Sequence, residues 1–535
     1  MTRVATDPRS QIAFPTKVGR KPSLPVWFSS LGIASVVMLL VALCYLYINN
    51  FGNEGFWTDE TTTFWQSGLA FPLSDKGSNG IQEMFAAVRG GSADPGGFNV
   101  LLLAWISIFG TAVESLRSFA FFFFVMYLFF LWTLMRWLAL PTIVSAAALG
   151  LMLLENITPY YAFELRPYIP ELAASVGFLV VTLFLLQQPS KFRLTIFLAG
   201  IVFLGSSQYS AAVLSITTGI IFLAIFIWNR GGTKNSLLLV AASSAILWPV
   251  VQYTLLRGFP LSREQAPPTH TVDLLMSNRD FNQLMQNLNT NLLTPTAFPR
   301  TAFLILIPIL WIWFRYSSRS NTFTIPVRNA LILMWFYVAL ATLFSALLSL
   351  MGVMPWILGT RWSINEIGLI AISLIGILVV IFNQFESQLG KLTTQILVAT
   401  MCIIVVTVGS VRIFNYERVP ASRYLASLSE KMFSGTPGGL IIDNWILEDT
   451  RYLIEASGRY DELQGSWSTA EPRGTSGFEA ATSIDVSDFL ADTTADRILL
   501  RSEVPLETVI IPTGVEVLRS DAVDGAPVLL IKDSS

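Results

Sequence analysis

Of 535 residues, 53% are hydrophobic and only 13% are charged, with a mean hydropathy of +0.58. A soluble globular protein carries about 25% charged residues, so a water-facing fold of this size is excluded and most of the chain must be solvated by lipid. The net charge of −2 hides an asymmetry: from Tyr416 onward there are 10 basic and 20 acidic residues, so the rest of the chain is basic, with Lys and Arg gathered in short loops. Nothing marks a nucleic-acid partner. Cys44 and Cys402 lie in apolar stretches and read as buried filler rather than a disulfide.

Residues 1–24 hold Arg3, Arg9, Lys17, Arg20 and Lys21 against Asp7 alone. Cytoplasmic loops are enriched in Lys and Arg, so this segment is expected inside. The apolar run Leu24 to Tyr47 is about twice the length of a signal-peptide core and reads as a retained first crossing. The first outward loop then spans about 49–116. Within it, Phe98 to Phe109 is apolar but short for a crossing. Placed along the outer interface as a juxtamembrane helix, it leaves every later basic loop on the cytoplasmic side. Crossings at about 117–138 and 140–158 follow, with Arg136 inside. Lys191 and Arg193, Arg230 and Lys234, Arg315, Arg319 and Arg328, and Lys391 then all fall inside. The outward loops are the Glu164–Tyr168 segment, about 257–300 and about 353–363. The reading is a polytopic α-helical protein of about eleven crossings over 25–415, set in the cytoplasmic (inner) membrane. The acidic tail, 416–535, is then an extracytoplasmic domain.

The tail has ordinary soluble composition. Runs at Leu440–Ile442, Ile498–Leu500, Thr508–Ile511 and Val528–Ile531 read as strands, and Arg451–Ala456 as helix. A small α/β or α+β domain is expected. It contains no metal-ligand spacing, Gly-rich phosphate loop or nucleophile elbow.

Charges beside membrane segments are costly and mark functional candidates. Trp57-Thr58-Asp59-Glu60 follows the first crossing; a plain solvated loop pair is the simpler account of it. Asp94-Pro95-Gly96-Gly97-Phe98-Asn99 opens the short helix, where Asp and Pro also serve as an ordinary helix start. Glu164-Leu165-Arg166-Pro167-Tyr168, with Glu171 further on, opens another crossing; Glu171 falls in its first turn, near the positive helix end. An interfacial ion pair would also account for it. Gly359-Thr360-Arg361-Trp362 ends an outward loop. His270, the only histidine, lies in the 257–300 loop, as an ordinary polar residue or as a ligand.

In this order the motifs resemble the GT-C membrane glycosyltransferases, among them the dolichyl-phosphate-mannose protein mannosyltransferases and the bacterial aminoarabinose transferases. The resemblance covers roughly 25–412 in architecture and about twenty residues in motif. It implies transfer of a sugar from a polyprenyl-phosphate carrier to an extracytoplasmic glycan, lipid or protein. It puts the acid/base group on Asp59, the second acidic position on Glu60, and the donor phosphate on Arg166 and Arg361. Asp94, Glu164, Tyr168, Glu171 and His270 are left to orient the sugar or to hold a divalent metal ion. Two departures stand out. The usual Pro-Pro pair is Pro95-Gly96 here, and the usual Tyr after the late Arg is Trp362.

The chemistry suits these residue types. A carboxylate serves as general base for an acceptor hydroxyl, and arginine grips phosphate oxygens through a permanently charged fork. A direct, inverting displacement is expected, since phosphate already leaves well. A lipid-linked polysaccharide ligase is the closer alternative and would not need the Asp-Glu pair. A transporter would show internal repeats and ionisable groups at the midplane, and the sequence has neither.

Overall fold

The computed structural model describes residues 25–51, 58–65, 67, 96–154, 157–206, 209–228, 233–257, 325–350, 364–386 and 392–416, with seven strands between Leu440 and Asp533. In chain order the helices are α1 (Val26–Phe51), α2 (Thr58–Trp65), α3 (Gly97–Phe109), α4 (Val113–Trp137), α5 (Thr142–Met152), α6 (Ile157–Tyr161) and α7 (Tyr168–Gln187). They continue as α8 (Lys191–Gly205), α9 (Tyr209–Trp228), α10 (Thr233–Arg257), α11 (Ile325–Leu350), α12 (Ile364–Glu386) and α13 (Leu392–Phe414).

Among the described residues, four helices are long and apolar enough to cross a membrane: α1, α4, α7 and residues 395–414 of α13. Shorter apolar stretches lie in α3, α5, α9, α10, α11 and α12. The segment expected as a crossing at 140–158 is interrupted: α5 ends at Met152 and α6 starts at Ile157. Pro159 lies in the first turn of α6, the part of a helix where a missing N–H costs nothing.

The chain divides into two units, one of 1–47, 88–98 and 120–416 and the other of 48–87, 99–119 and 417–535. In the first unit α7 is the central helix, 94% of its apolar window being buried, against 28% for α1. It packs against α8, α9, α11 and α12. Hydroxyl–carbonyl bonds tie neighbouring helices: the Tyr337 hydroxyl of α11 donates to the Ser175 carbonyl of α7 at 2.9 Å. Ser215 of α9 donates to the Ala245 carbonyl of α10 at 2.7 Å. Helices α5 and α13 meet through glycines, since a Cβ on Gly409 would lie 2.6 Å from the Gly150 carbonyl oxygen. Small residues give helices in lipid their close contact, because no hydrophobic force distinguishes a neighbouring helix from a lipid tail.

The outer faces of α1 and α13 expose Val37, Leu40, Val41, Leu397, Met401 and Ile404. Such a surface suits hydrocarbon and not water. Cys402 is buried as expected, but Cys44 is exposed on α1, and both are free thiols. Lipid accounts for the difference, because a small apolar side chain is as much at home against acyl chains as inside the protein.

In the second unit the strands are β1 (Leu440–Asp443), β2 (Trp467–Ala470), β3 (Ile484–Asp485), β4 (Arg497–Arg501), β5 (Val509–Ile510), β6 (Val515–Val523) and β7 (Ala526–Asp533). The larger sheet has the order β2-β1-β4-β7-β6, parallel from β2 to β4 and antiparallel from β4 to β6; β3 and β5 form a separate parallel pair. The four apolar runs read as strands fall in β1, β4, β5 and β7. Three strands escaped that reading. β2 is Trp-Ser-Thr-Ala, β3 has two residues, and the alternation of β6 breaks where the register shifts between Arg519 and Ala522. The expected helix at 451–456 lies outside the described residues.

Candidate functional site

Helix α2 has eight residues, too few to hold together in water by its own hydrogen bonds. It is held from two sides. Near its start, Glu60 is 1% exposed and forms a salt bridge with Arg117 of α4, itself 1% exposed. The guanidinium reaches both carboxylate oxygens, with Nη1 donating to Oε1 and Nη2 to Oε2, the latter at 3.4 Å. This is the forked arrangement that arginine makes best. Near its end, the buried Asn99 of α3 donates from Nδ2 to the Thr63 carbonyl and to Ser67 Oγ, each at 3.4 Å. Ser67 Oγ in turn donates to the Thr63 carbonyl at 3.0 Å.

The two supporting residues come from one helical hairpin. Gly110 closes α3 at φ +81° with its N–H on the Ile106 carbonyl at 2.8 Å, a left-handed helix end that glycine adopts freely. After 110–112 the chain enters α4, and Trp105 Nε1 ties the arms together by donating to the Ser115 carbonyl at 2.9 Å. Along α3, Phe98, Asn99, Leu102 and Ile106 are buried while Val100, Ile108 and Phe109 are exposed. Thirteen residues at 1.5 Å each make about 20 Å, short of the roughly 30 Å hydrocarbon core.

The start of α3 accounts for one departure from the expected motif. Gly96 stands at φ +81°, which proline, fixed near −65°, cannot adopt. A Cβ on Gly97 would fall 2.2 Å from Ser206, whose carbonyl also accepts a bond from Gln252 at 3.2 Å. Glycine is required at both positions, for different reasons.

A second group of charges opens α7. Glu164, Arg166, Tyr168 and Glu171 are all buried. The turn before the helix is built by Glu164 N–H on the Tyr161 carbonyl and Arg166 N–H on the Glu164 carbonyl, at 3.1 and 2.8 Å. Pro167 precedes the helix and Pro170 falls in its first turn, where Glu171 also sits, favourably placed at the positive helix end. Arg166 Nη2 lies 3.4 Å from the Tyr168 hydroxyl, and its guanidinium carbon 5.5 Å from the ring centroid. Tyr161 packs edge-on to Tyr168 at 4.9 Å.

Of the residues expected to carry the site, Glu60 is thus joined to Arg117, and Arg166 to Tyr168. Asp59 is the second residue of α2. Asp94, His270 and Arg361 lie outside the described residues. Among the described residues no three His, Cys, Asp or Glu side chains gather as metal ligands. Arg117 and Asn99 were not anticipated. Arg117 carried a signal, since it is a charge in the first turns of a 25-residue apolar helix. Asn99 carried none beyond its place in the motif.

No family model and no curated protein matches the sequence. Among solved structures, the chain is similar to an oligosaccharyltransferase of Archaeoglobus fulgidus crystallised with zinc and sulfate. The two share 12% identity over 86% of this chain and 67% of that one, with a TM-score of 0.43.

Proposed function

We propose that this protein is a membrane glycosyltransferase of GT-C type that moves a sugar from a polyprenyl-phosphate carrier to an extracytoplasmic acceptor. The observation that carries the reading is the Asp-Glu pair on α2: a solvated loop dipeptide would leave Glu60 in water, whereas it is buried on Arg117. Burying both charges costs several kcal/mol per ion before their attraction is counted. A fold that spends this on eight residues fixes that helix for a reason, and Asp59 is the neighbouring position.

In the reaction, the acceptor hydroxyl oxygen attacks the anomeric carbon from the face opposite the phosphate. The carbon–oxygen bond to the phosphate breaks, its electron pair leaves with the polyprenyl phosphate, and the configuration inverts. Asp59 takes the hydroxyl proton as general base. Arg166 and Arg361 neutralise the departing phosphate, with Glu164, Tyr168 and Glu171 orienting the sugar. Asp94 and His270 remain candidates for the same task or for a divalent ion. The active face, the 49–116 loop and the tail lie outside the cytoplasmic membrane in this reading.

The test is turnover with undecaprenyl-phosphate-linked mannose, glucose, arabinose and 4-amino-4-deoxyarabinose, with thermal stabilisation as the binding readout. Asp59→Asn should bind a donor as wild type does yet lose on the order of 100- to 10,000-fold in rate. Arg361→Ala should lose the stabilisation. An Asp59→Asn variant as active as wild type would remove the general base from the proposal.

A further inference from the structure

We infer that Asn99 and Arg117 are positioning residues that clamp α2 at its two ends and thereby set where Asp59 stands. The inference rests on the proposed role of Asp59, but its geometry is independent of that role. Arg117 takes Glu60 by both oxygens. Asn99 takes the other end through the Thr63 carbonyl and Ser67 Oγ. Thr63 lies three positions after Glu60, nearly one turn, so the two anchors act on the same short helix. Asp59 is one residue from Glu60, about 100° around the axis. Fixing Glu60 inward therefore fixes the azimuth of position 59 without using position 59 itself.

The anchors are fixed in turn. Trp105 bonds to Ser115 across the α3–α4 turn, so Asn99 and Arg117 are held on one hairpin. With a single anchor, α2 could still pivot or unwind at its other end. Two anchors, on helices joined across their turn by Trp105, restrain both motions, and a displacement of about 1 Å at a reacting group costs on the order of 100-fold in rate.

Two measurements on the full-length protein in detergent test this. The first is amide hydrogen exchange over 58–65 in wild type, Asn99→Leu and the charge-free pair Glu60→Gln/Arg117→Met. The pair avoids stranding one charge in the interior, so it decides the matter if Arg117→Met alone does not fold. Exchange should rise over α2 while α7 keeps wild-type protection; unchanged exchange over α2 overturns the clamp. The second is turnover with the undecaprenyl-phosphate sugars. Asn99→Leu should lower kcat on the order of 100-fold with KM within about twofold, because donor phosphate is held elsewhere. Arg117→Lys should restore part of what Arg117→Met loses. Combining Asn99→Leu with Asp59→Asn should cost little more than Asp59→Asn alone, since a misplaced base and an absent base are the same loss. Full additivity of the two overturns the positioning role. If exchange rises but Asp59→Asn is fully active, the clamp stands and the base assignment falls.

Discussion

The Arg117–Glu60 pair illustrates how a buried charge can be necessary in place and yet contribute little net stability. Removing one partner leaves an uncompensated charge in the interior and costs about 3–5 kcal/mol, whereas replacing both by apolar groups of similar volume is often neutral or better. Arg117→Met should therefore lower the denaturation midpoint sharply, and Glu60→Met/Arg117→Met should return it to near wild type. Thermal unfolding in one detergent measures both. If the double variant restores stability without restoring turnover, the pair is retained for geometry. The Gly96–Gly97 turn is a second case at this scale. Gly96→Ala meets a left-handed backbone worth about 1–2 kcal/mol, and Gly96→Pro cannot form it at all. Gly97→Ala meets Ser206 instead. Expression and monodispersity on size exclusion should rank Gly96→Ala above both Gly97→Ala and Gly96→Pro.

At the scale of elements, most of what was legible in the sequence came from length and charge. The long apolar helices expected near 24–47 and 117–138 could be read because about 20 apolar residues in a row match the thickness of the hydrocarbon core and are too costly to leave in water. Phe98 to Phe109 was recognisable as too short, and α3 has that length. The two acidic clusters were legible as costly charges beside apolar runs. What could not be read was partnership. Nothing local in Glu60 names Arg117, 57 residues on, and an amide such as Asn99 looks alike whether it faces water or a carbonyl. The break between α5 and α6 was signalled by Pro159 and overridden by the apolarity around it. In the tail, β1, β4, β5 and β7 declared themselves by apolar runs, while β2 has too little apolar content to register. Its parallel pairing with β1 is a long-range property that periodicity does not carry.

For the whole molecule the decisive property is sidedness, because the chemistry proposed needs α2, the start of α7 and the tail on the face opposite the N-terminus. Single cysteines on a background lacking Cys44 and Cys402 check this. Cysteines at Trp57, His270 and Ser476 should react with an impermeant maleimide in intact cells. Those at Lys234 and Lys391 should react only after permeabilisation. A label on position 57 that needs permeabilisation would put the Asp-Glu pair in the cytoplasm, where no extracytoplasmic acceptor could reach it.

The exposed side of α3 has a consequence for how such a protein behaves once extracted. Asn99, which steadies α2, belongs to a helix whose far side presents Val100, Ile108 and Phe109. Amphiphile covers those side chains, and exposing them to water costs roughly 25 cal/mol for each Å². Whatever wets that side therefore helps hold the helix in place. Acyl-chain length and detergent-to-protein ratio then become variables of the reaction itself, reaching α2 through one amide, and a preparation stripped too far would lose rate while its fold remained intact.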